Sequence, residues 1–314
     1  MQLKNNKGLT PTQLLDKDLK EVITQFALED APLYKTIKPG QFPKHGRICN
    51  KRKRCYSTNT IAGFKTKEEV KKQGLECYAV IRLLGKGSFG EVYLVVEKRS
   101  NKLYAMKVFK KEKYLSQNIL RYALAEKNIM AYMRHPFIVG LHSAFQTKRQ
   151  LYLIMEYCPG GDLAFILKKE GRFHENKARI YIAEVILAIE YLHKKNVIFR
   201  DLKPENVVLD KEGHAKLTDF GLSKEGITDN TITKSFCGSL AYLAPEIISK
   251  VGHGKSIDWY LIGALLYEML VGQPPYYSKN RQQLFYNITN GRLLFPRHLS
   301  PNAKDIIILV HISK

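Results

Sequence analysis

Cysteine is scarce in this sequence and shows no pairing pattern. Only 5 of the 314 residues are cysteine, an odd number, and no Cys-x-x-Cys spacing occurs. Disulfide-rich secreted domains and zinc modules need more cysteines at regular spacing. The composition therefore argues against both classes, and we expect reduced thiols and a location in the cytoplasm or the nucleus.

Long apolar runs are also absent. The most apolar stretch, Trp259 to Val271, is interrupted by Glu268 and is too short to span a membrane. The N-terminus lacks the apolar core of a secretory signal. Hydrophobic residues make up 45% of the chain, a typical value for a globular protein. At this length the sequence holds one large domain or two small ones.

Acidic residues are outnumbered by basic ones. The chain has 29 Asp and Glu against 51 Lys and Arg, a formal net charge of +22. Such a charge attracts anionic partners, namely a nucleotide, an acidic lipid surface or a nucleic acid. No base-reading motif is visible, so we expect no specific nucleic-acid binding. Solvation of the surface accounts for most of the excess lysines.

Residues 1–74 read as an extension that precedes the main domain. Thr10, Pro11 and Gln13 form a helix-start signal. The helical spacing of apolar residues is carried by Leu15, Leu19, Val22 and Phe26. It predicts a short amphipathic helix that docks on this chain in preference to a partner. The basic run at 51–54 then matches a nuclear address or a lipid contact, but we favour a solvated linker over membrane contact.

Residues 197–221 concentrate polar side chains between short apolar runs. The polar positions are Arg200, Asp201, Lys203, Asn206 and Asp219. Pro204 excludes a regular helix, and a hairpin formed by 207–209 and 215–217 would carry Asn206 back toward Asp219. Two converging oxygen donors beside a carboxylate and a lysine suit a hard divalent cation that carries phosphates.

A glycine-rich turn lies between two predicted strands, Tyr78 to Leu84 and Glu91 to Val96. Its glycines, at 85, 87 and 90, let backbone N–H groups approach phosphate oxygens. A strand follows the turn, which argues against a dinucleotide-binding fold. Lys107 lies on the next predicted strand. The helix predicted over 116–134 places Glu126 on its inward face, where a carboxylate needs a partner, and Lys107 is the natural one.

These residues resemble the motifs of a known family. Phe199 to Asn206 is similar to the catalytic loop of eukaryotic protein kinases, and Asp219-Phe220-Gly221 to their metal-binding motif. The usual first residue of the loop is His. An aromatic residue such as Phe199 is common in the AGC group, which contains protein kinases A, B, C and G. The chain most resembles the protein kinase B and serum- and glucocorticoid-type members.

The resemblance covers roughly residues 77 to 311 and implies an α+β, two-lobed fold. A small lobe, residues 75–155, would combine an antiparallel β-sheet with one helix. A larger, mainly helical lobe would cover residues 156–314. The family pattern continues with another helix and a C-terminal tail, so we expect the domain at 75–314 to be truncated at its C-terminus.

The resemblance implies ATP- and Mg²⁺-dependent transfer of the γ-phosphoryl group to Ser or Thr of protein substrates. Asp201 would orient the substrate hydroxyl and accept its proton, and Lys203 would neutralise the moving charge. Asn206 and Asp219 would hold Mg²⁺, and Glu126 would hold Lys107 against the inner phosphates. The implied nucleotide-binding set is Leu84, Gly85, Lys86, Gly87, Ser88, Phe89, Gly90, Val92, Ala105, Lys107, Met155, Glu156, Cys158, Asp162, Val208 and Thr218.

The resemblance also implies regulation and substrate preference. Ser235, just before Phe-Cys-Gly, matches the activating phosphorylation site of an upstream kinase, and Arg200 and Lys224 would pair with its phosphate. Asp162 and Glu205 match acidic positions that meet arginines upstream of the phosphorylated residue. Ala241 replaces a usual glutamate, which would relax that preference.

Two alternatives come from other classes of protein. A pseudokinase or scaffold would keep the fold without turnover, and the missing C-terminal segment favours it while the intact Lys107, Asp201 and Asp219 argue against it. A nucleic-acid-binding protein would use the net charge of +22 and show steep salt dependence.

Overall fold

The computed structural model describes residues 74–87, 90–111 and 119–311, without the side chains of 119–122 and 311. The predicted N-terminal helix and basic linker lie outside the described residues. So do Ser88 and Phe89 of the glycine-rich turn.

The N-terminal lobe is built on a five-stranded antiparallel sheet of order β1-β2-β3-β5-β4. Its strands are β1 (Tyr78–Gly87), β2 (Gly90–Glu97), β3 (Leu103–Lys110), β4 (Leu141–Gln146) and β5 (Gln150–Glu156). The two strands predicted around the glycine-rich turn are confirmed, and both extend further into it. Helix α1 (Ile119–Tyr132) connects β3 to β4.

Burial explains why these elements form. In β5 all residues from Leu151 to Met155 are buried, as expected of a strand covered on both faces. Along α1, Ala123, Glu126 and Met130 are buried on one stripe, so the predicted inward position of Glu126 is confirmed.

The C-terminal lobe is mainly helical. Its helices are α2 (Leu163–Glu170), α3 (Glu175–Lys194), α4 (Pro245–Ile248), α5 (Ser256–Val271), α6 (Arg281–Asn290) and α7 (Pro301–His311). Two small antiparallel ladders pair β6 (Val197–Ile198) with β9 (Lys224–Glu225) and β7 (Val207–Leu209) with β8 (Ala215–Leu217). The predicted hairpin is therefore present, and the predicted α+β two-lobed fold is confirmed.

Helix α5 forms the centre of this lobe. Every residue from Ile257 to Tyr267 is buried, so the helix has no solvent face along that length. Helix α3 packs beside it and begins at a cap provided by the side chain of His174. Among the described helices, none has both the length and the hydropathy needed to cross a bilayer.

Candidate active site

A cavity of about 510 Å³ lies between the two lobes, and most of the predicted nucleotide-binding residues line it. The lining residues predicted from the sequence are Leu84, Gly85, Gly87, Gly90, Val92, Ala105, Lys107, Met155, Glu156, Cys158, Asp162, Val208 and Thr218. Lys86 is not among them, because its exposed side chain pairs with Glu91 at 3.2 Å. The sequence did not indicate Arg82 and Phe165, which also line the cavity.

Apolar residues line two opposite walls of the cavity, and the glycine-rich turn leaves space beside them. Leu84, Val92 and Ala105 come from the sheet, while Val208 comes from β7. Apolar groups from two lobes can enclose a flat ring between them. At Gly85 and Gly87 a side chain would meet no atom within 4 Å, so the turn leaves open space above the cavity. That space suits a group as bulky as a triphosphate.

Lys107 forms a buried ion pair with Glu126. Its Nζ atom donates to both carboxylate oxygens, at 2.8 and 2.9 Å, and also lies 3.0 Å from Asp219 Oδ1. Lys107 is 6% and Glu126 is 1% exposed, so water does not screen the pair. Burial by itself lowers the pKa of Lys107, but Asp219 and Glu126 outweigh it and the net shift is upward. The lysine is therefore a fixed positive charge beside the cavity.

Asp219 is held in the cavity wall by its own backbone. It adopts the left-handed conformation at φ 63° and caps the short 3₁₀ turn Phe220–Leu222. Burial opposes its ionisation, but the ammonium of Lys107 brings the net pKa below the ordinary value. Phe220 is fully buried and meets the ring of Phe199 edge to face, with centroids 5.2 Å apart. This contact accounts for an aromatic residue at position 199.

Asp201, Lys203, Asn206 and Ser239 form a connected hydrogen-bond network. Asn206 Nδ2 donates to the backbone oxygen of Asp201 at 2.7 Å and to its Oδ2 at 3.0 Å. Lys203 Nζ lies 3.0 Å from Asp201 Oδ2 and donates to Ser239 Oγ at 2.8 Å. Ser239 Oγ donates to Asp201 Oδ1 at 3.1 Å. The sequence interpretation missed Ser239, since nothing local to position 239 shows that it faces position 201.

The donor set fits a magnesium ion bound together with phosphates. Because the Asn206 amide nitrogen donates to Asp201, its oxygen remains for a cation, and the carboxylate of Asp219 lines the same cavity. The described residues contain no group of three or more His, Cys, Asp or Glu side chains that could hold a metal by themselves. Phosphate oxygens and water would complete the shell, which is the usual way Mg²⁺ is bound.

Asp258 of α5 anchors the loop formed by residues 199–206. This carboxylate is fully buried and accepts from the backbone N–H groups of Phe199 at 2.9 Å and Arg200 at 2.8 Å. It also contacts His193 Nε2 of α3 at 2.7 Å, a partner that the sequence interpretation missed. Arg200 is at φ 69°, so the loop turns sharply at this anchor.

The segment around Ser235 lies beside a basic cluster. Arg200 Nε donates to the backbone oxygen of Leu222 at 2.7 Å, while its buried Nη1 has no partner among the described residues. Lys224 Nζ donates to Thr233 Oγ1 at 2.7 Å. Thr233 Oγ1 lies 3.2 Å from Ser235 Oγ, and Ser235 is exposed. The Ser235 hydroxyl is therefore linked through Thr233 to the ammonium of Lys224, and the positive charge of Arg200 acts on Cys237, two residues further along the chain.

Two acidic side chains line the cavity, and a third lies near one of them. Asp162 caps α2 by accepting from Phe165 N at 2.8 Å, and both Asp162 and Glu205 line the cavity. Glu268 of α5 lies near Glu205 and has a buried carboxylate oxygen without a described partner. Burial, with a further contribution from Glu205, raises the pKa of Glu268 to about 7. The only sequence signal for Glu268 was an acid within an otherwise apolar helix.

Comparison with known proteins agrees with this geometry. Residues 78–310 match the protein kinase domain family. Protein kinase 2 of Dictyostelium discoideum is 46% identical over 244 residues, 77% of this chain and 50% of that protein. The RAC family serine/threonine-protein kinase homolog of the same organism is 44% identical over 248 residues, 79% and 56% of the two chains. The RAC-beta serine/threonine-protein kinase of Homo sapiens is 45% identical over 227 residues, 72% and 47%.

The matched region is three quarters of the chain and contains the whole cavity. The chain belongs to the protein kinase family, within the AGC group that its catalytic loop resembles. It spans about half the length of these relatives.

Proposed function

We propose that the protein is an ATP- and Mg²⁺-dependent serine/threonine kinase that acts on protein substrates. The observation that carries this proposal is the ion pair of Lys107 with Glu126, which sits 3.0 Å from Asp219 at the edge of a cavity fit for a nucleotide. Kinases need that lysine and the metal-binding aspartate in place together.

Each residue of the cavity has a different role in phosphoryl transfer. Lys107 binds the inner phosphates, and Asn206 with Asp219 would hold Mg²⁺, which neutralises phosphate charge when bound. Asp201 orients the substrate hydroxyl and accepts its proton. Lys203 lies 3.0 Å from Asp201 and offsets negative charge as the phosphoryl group moves. Because the transition state is loose, positioning and electrostatics supply most of the rate.

The contact of Lys203 with Ser239 supports Ser and Thr as acceptors. Ser239 Oγ bridges Lys203 and Asp201, so three side chains fix the place where a short aliphatic hydroxyl is received.

A transfer assay tests the activity. The protein, incubated with Mg²⁺, γ-labelled ATP and a serine peptide, is expected to label the peptide. Asp219→Asn is expected to lower the rate at least about 100-fold, since it removes a charge that stabilises the transition state. A protein that binds ATP but transfers no phosphate, even with Ser235 phosphorylated, would be a scaffold with the kinase fold. Binding of nucleic acid that survives Lys107→Met would support the remaining alternative.

The acidic groups in and near the cavity support a preference for arginine upstream of the phosphorylated residue. Asp162 and Glu205 line the cavity, Glu268 lies near Glu205, and one carboxylate oxygen of Glu268 has no donor among the described residues. A guanidinium would provide it in a charge-assisted hydrogen bond. Ala241 adds no charge to this set, so we expect the preference to be moderate.

The pH dependence of peptide choice tests this preference. With its pKa near 7, Glu268 is charged above that pH and neutral below it. The ratio of kcat/KM for an arginine peptide to that for its alanine counterpart should therefore fall as pH drops through 7. In Glu268→Gln this ratio should be low and should no longer change with pH. Equal rates for both peptides at every pH would refute the preference.

We further propose that phosphorylation of Ser235 by an upstream kinase activates the protein. The exposed hydroxyl beside Arg200 and Lys224 supports this, since a phosphate there would order the segment. Installing phosphoserine at 235 should raise kcat about tenfold or more over the unmodified chain, because an ordered segment helps to keep Lys107, Glu126 and Asp219 in place. The control is Ser235→Ala, which cannot be phosphorylated at this position and is assayed under the same conditions.

We also propose a location in the cytoplasm or the nucleus. The cysteines that the structure describes, Cys77, Cys158 and Cys237, form no disulfide with one another. Reduced thiols are usual in those compartments, which supports this location. Protein substrates and an upstream kinase are its proposed partners.

A further inference from the structure

A second basic side chain beside Ser235 carries a nitrogen that lacks a partner. His253 precedes α5 and is 3% exposed, yet its Nε2 has no hydrogen-bond partner among the described side chains. A buried ring nitrogen without a partner is costly, and native proteins rarely keep one without a use. The role assigned above to Arg200 and Lys224 does not account for it.

Backbone pairing directs His253 toward the activation segment. Thr233 and His253 form an isolated antiparallel bridge, and each backbone N–H donates to the other's carbonyl at 2.9 Å. Residues directly paired in this way project their side chains on the same side of the ladder. His253 therefore shares the side of Thr233 Oγ1, the atom that contacts Lys224 Nζ and lies 3.2 Å from Ser235 Oγ.

The turn before His253 fixes this pairing. Gly252 is at φ +101°, where a side chain would be strained, and a Cβ atom there would collide with Ile232. The backbone on both sides of the bridge is thus held without help from the imidazole.

Charged groups from three elements face the imidazole. Burial, together with the positive charges of Arg200 and Lys224 and against an opposite effect of Asp258, lowers the pKa of His253 to about 4. Arg200 comes from the catalytic loop, Lys224 from β9 and Asp258 from α5. The unmodified protein thus holds a neutral imidazole nitrogen and a guanidinium nitrogen without partners among the described residues, and a lysine that contacts Thr233. The carboxylate that acts on the imidazole, Asp258, already accepts from the backbone N–H groups of Phe199 and Arg200.

We propose that His253 is a third ligand of the phosphate on Ser235, together with Arg200 and Lys224. The inference rests on the proposed function in taking Ser235 as the modified residue. Ser235 is exposed whereas Thr233 is 4% exposed, so the upstream kinase reaches Ser235. A bond forms from Ser235 Oγ to the γ-phosphorus of ATP, the bond to the bridging oxygen breaks, and ADP leaves. The hydroxyl proton passes to the base of the upstream kinase.

The phosphate matches these three donors. A phosphoserine offers three acceptor oxygens, one for each of the three basic side chains. Two of the ligands belong to different parts of the C-terminal lobe, since Arg200 precedes the segment around Ser235 in the chain and His253 follows it. Phosphorylation would therefore tie the segment to the start of α5 as well as to the catalytic loop.

Phosphorus NMR of the protein carrying phosphoserine at 235 tests the proposal. The pKa of the bound phosphate should lie below the ordinary value of about 6, because three donors favour the dianion. His253→Phe fills the same space without a donor, and it should raise the phosphate pKa and speed its removal by a phosphatase several-fold. His253→Gln keeps an N–H and should restore part of the protection. His214→Gln, at an exposed histidine on the β7–β8 hairpin, is the control.

A second readout does not depend on the variants folding. In the wild-type chain, nitrogen NMR of His253 should show its pKa rising from about 4 when Ser235 is phosphorylated. The proposal fails if this pKa is unchanged, or if Lys224→Met exposes the phosphate while His253→Phe does not. If the histidine responds but phosphorylation leaves kcat unchanged, the inference stands and Ser235 is not the activating site.

Discussion

At the scale of single residues, Lys107 has two acidic partners, whereas Glu126 has one basic partner among the described residues. Glu126 depends on Lys107 for its counter-charge, whereas Lys107 also keeps Asp219 at 3.0 Å. Losing either side of a buried pair leaves a charge out of water without compensation. The cost of the loss should therefore differ between the two sides.

Lys107→Met should destabilise the protein by about 3 kcal/mol, and Glu126→Gln by roughly half of that, because the lysine retains Asp219. The double variant should recover part of the loss, since no unpaired buried charge remains at Glu126. Urea denaturation of the four proteins measures this coupling. Additive costs in the double variant would mean that the pair contributes no coupling to stability.

Ser239 gives a second prediction at this scale. Its hydroxyl joins Lys203 to Asp201, so Ser239→Ala should lower kcat about tenfold while the KM for ATP stays the same, as expected for loss of one hydrogen bond to a charged group. Ser239→Thr keeps the hydroxyl and should keep most of the rate. Steady-state kinetics with varied ATP and peptide separate the two parameters, and a change confined to the KM for ATP would contradict this role.

At the scale of elements, α5 does more than fill the core. Its apolar faces pack on all sides, but its first turn holds Asp258, whose carboxylate fixes two backbone N–H groups of the catalytic loop and the ring of His193. One buried helix thereby fixes the position of the loop that carries Asp201. The position of Asp201 is an outcome of how α5 and α3 pack.

Replacing this anchor tests the argument. In Asp258→Asn an amide NH₂ faces donors that the carboxylate accepted, so the variant should lose about 2 to 4 kcal/mol of stability. We expect kcat to fall at least tenfold while nucleotide affinity changes little, because Asp258 does not line the cavity. Asp305→Asn, at an exposed acid on α7, is the matched control. Unchanged kcat in a folded Asp258→Asn protein would show that the loop holds its own shape.

At the scale of the whole molecule, the cavity lies between two lobes that contribute different chemistry. The sheet supplies the glycine-rich turn and Lys107, and the helical lobe supplies Asn206, Asp219 and two further acidic side chains. A ligand that touches both sides binds only when the lobes are assembled. Binding should therefore stabilise the native arrangement as a unit.

A non-hydrolysable ATP analogue with Mg²⁺ should raise the melting temperature. At about 100 times its Kd the ligand adds roughly 2.7 kcal/mol, or roughly 5 to 10 °C for a domain of this size. A chelator should remove most of the shift, and Asp219→Asn should show little of it from the start. A shift that is unaffected by the chelator would mean that the nucleotide binds without the metal that we infer.

Much of the fold could be read from local patterns. The glycine-rich turn between two strands, the helix that carries Glu126 and the hairpin after Asn206 depend on residues close in sequence, so periodicity and turn chemistry predicted them. Glu126 was predicted to face inward from the spacing of its neighbours, and it does. The bounds of these elements shifted by a few residues because capping contacts decide them.

The remaining site residues belong to contacts between distant segments. Ser239 meets Asp201 across 38 positions, His193 meets Asp258 across 65, and His253 pairs with Thr233 only through a bridge formed after the chain has folded. No local signal marks such residues. The sequence determined which chemical groups are available and which helices and strands carry them. Tertiary structure decided which buried groups found partners and which, like the nitrogen of His253, were left to bind something else, because burial is a property of the packed chain.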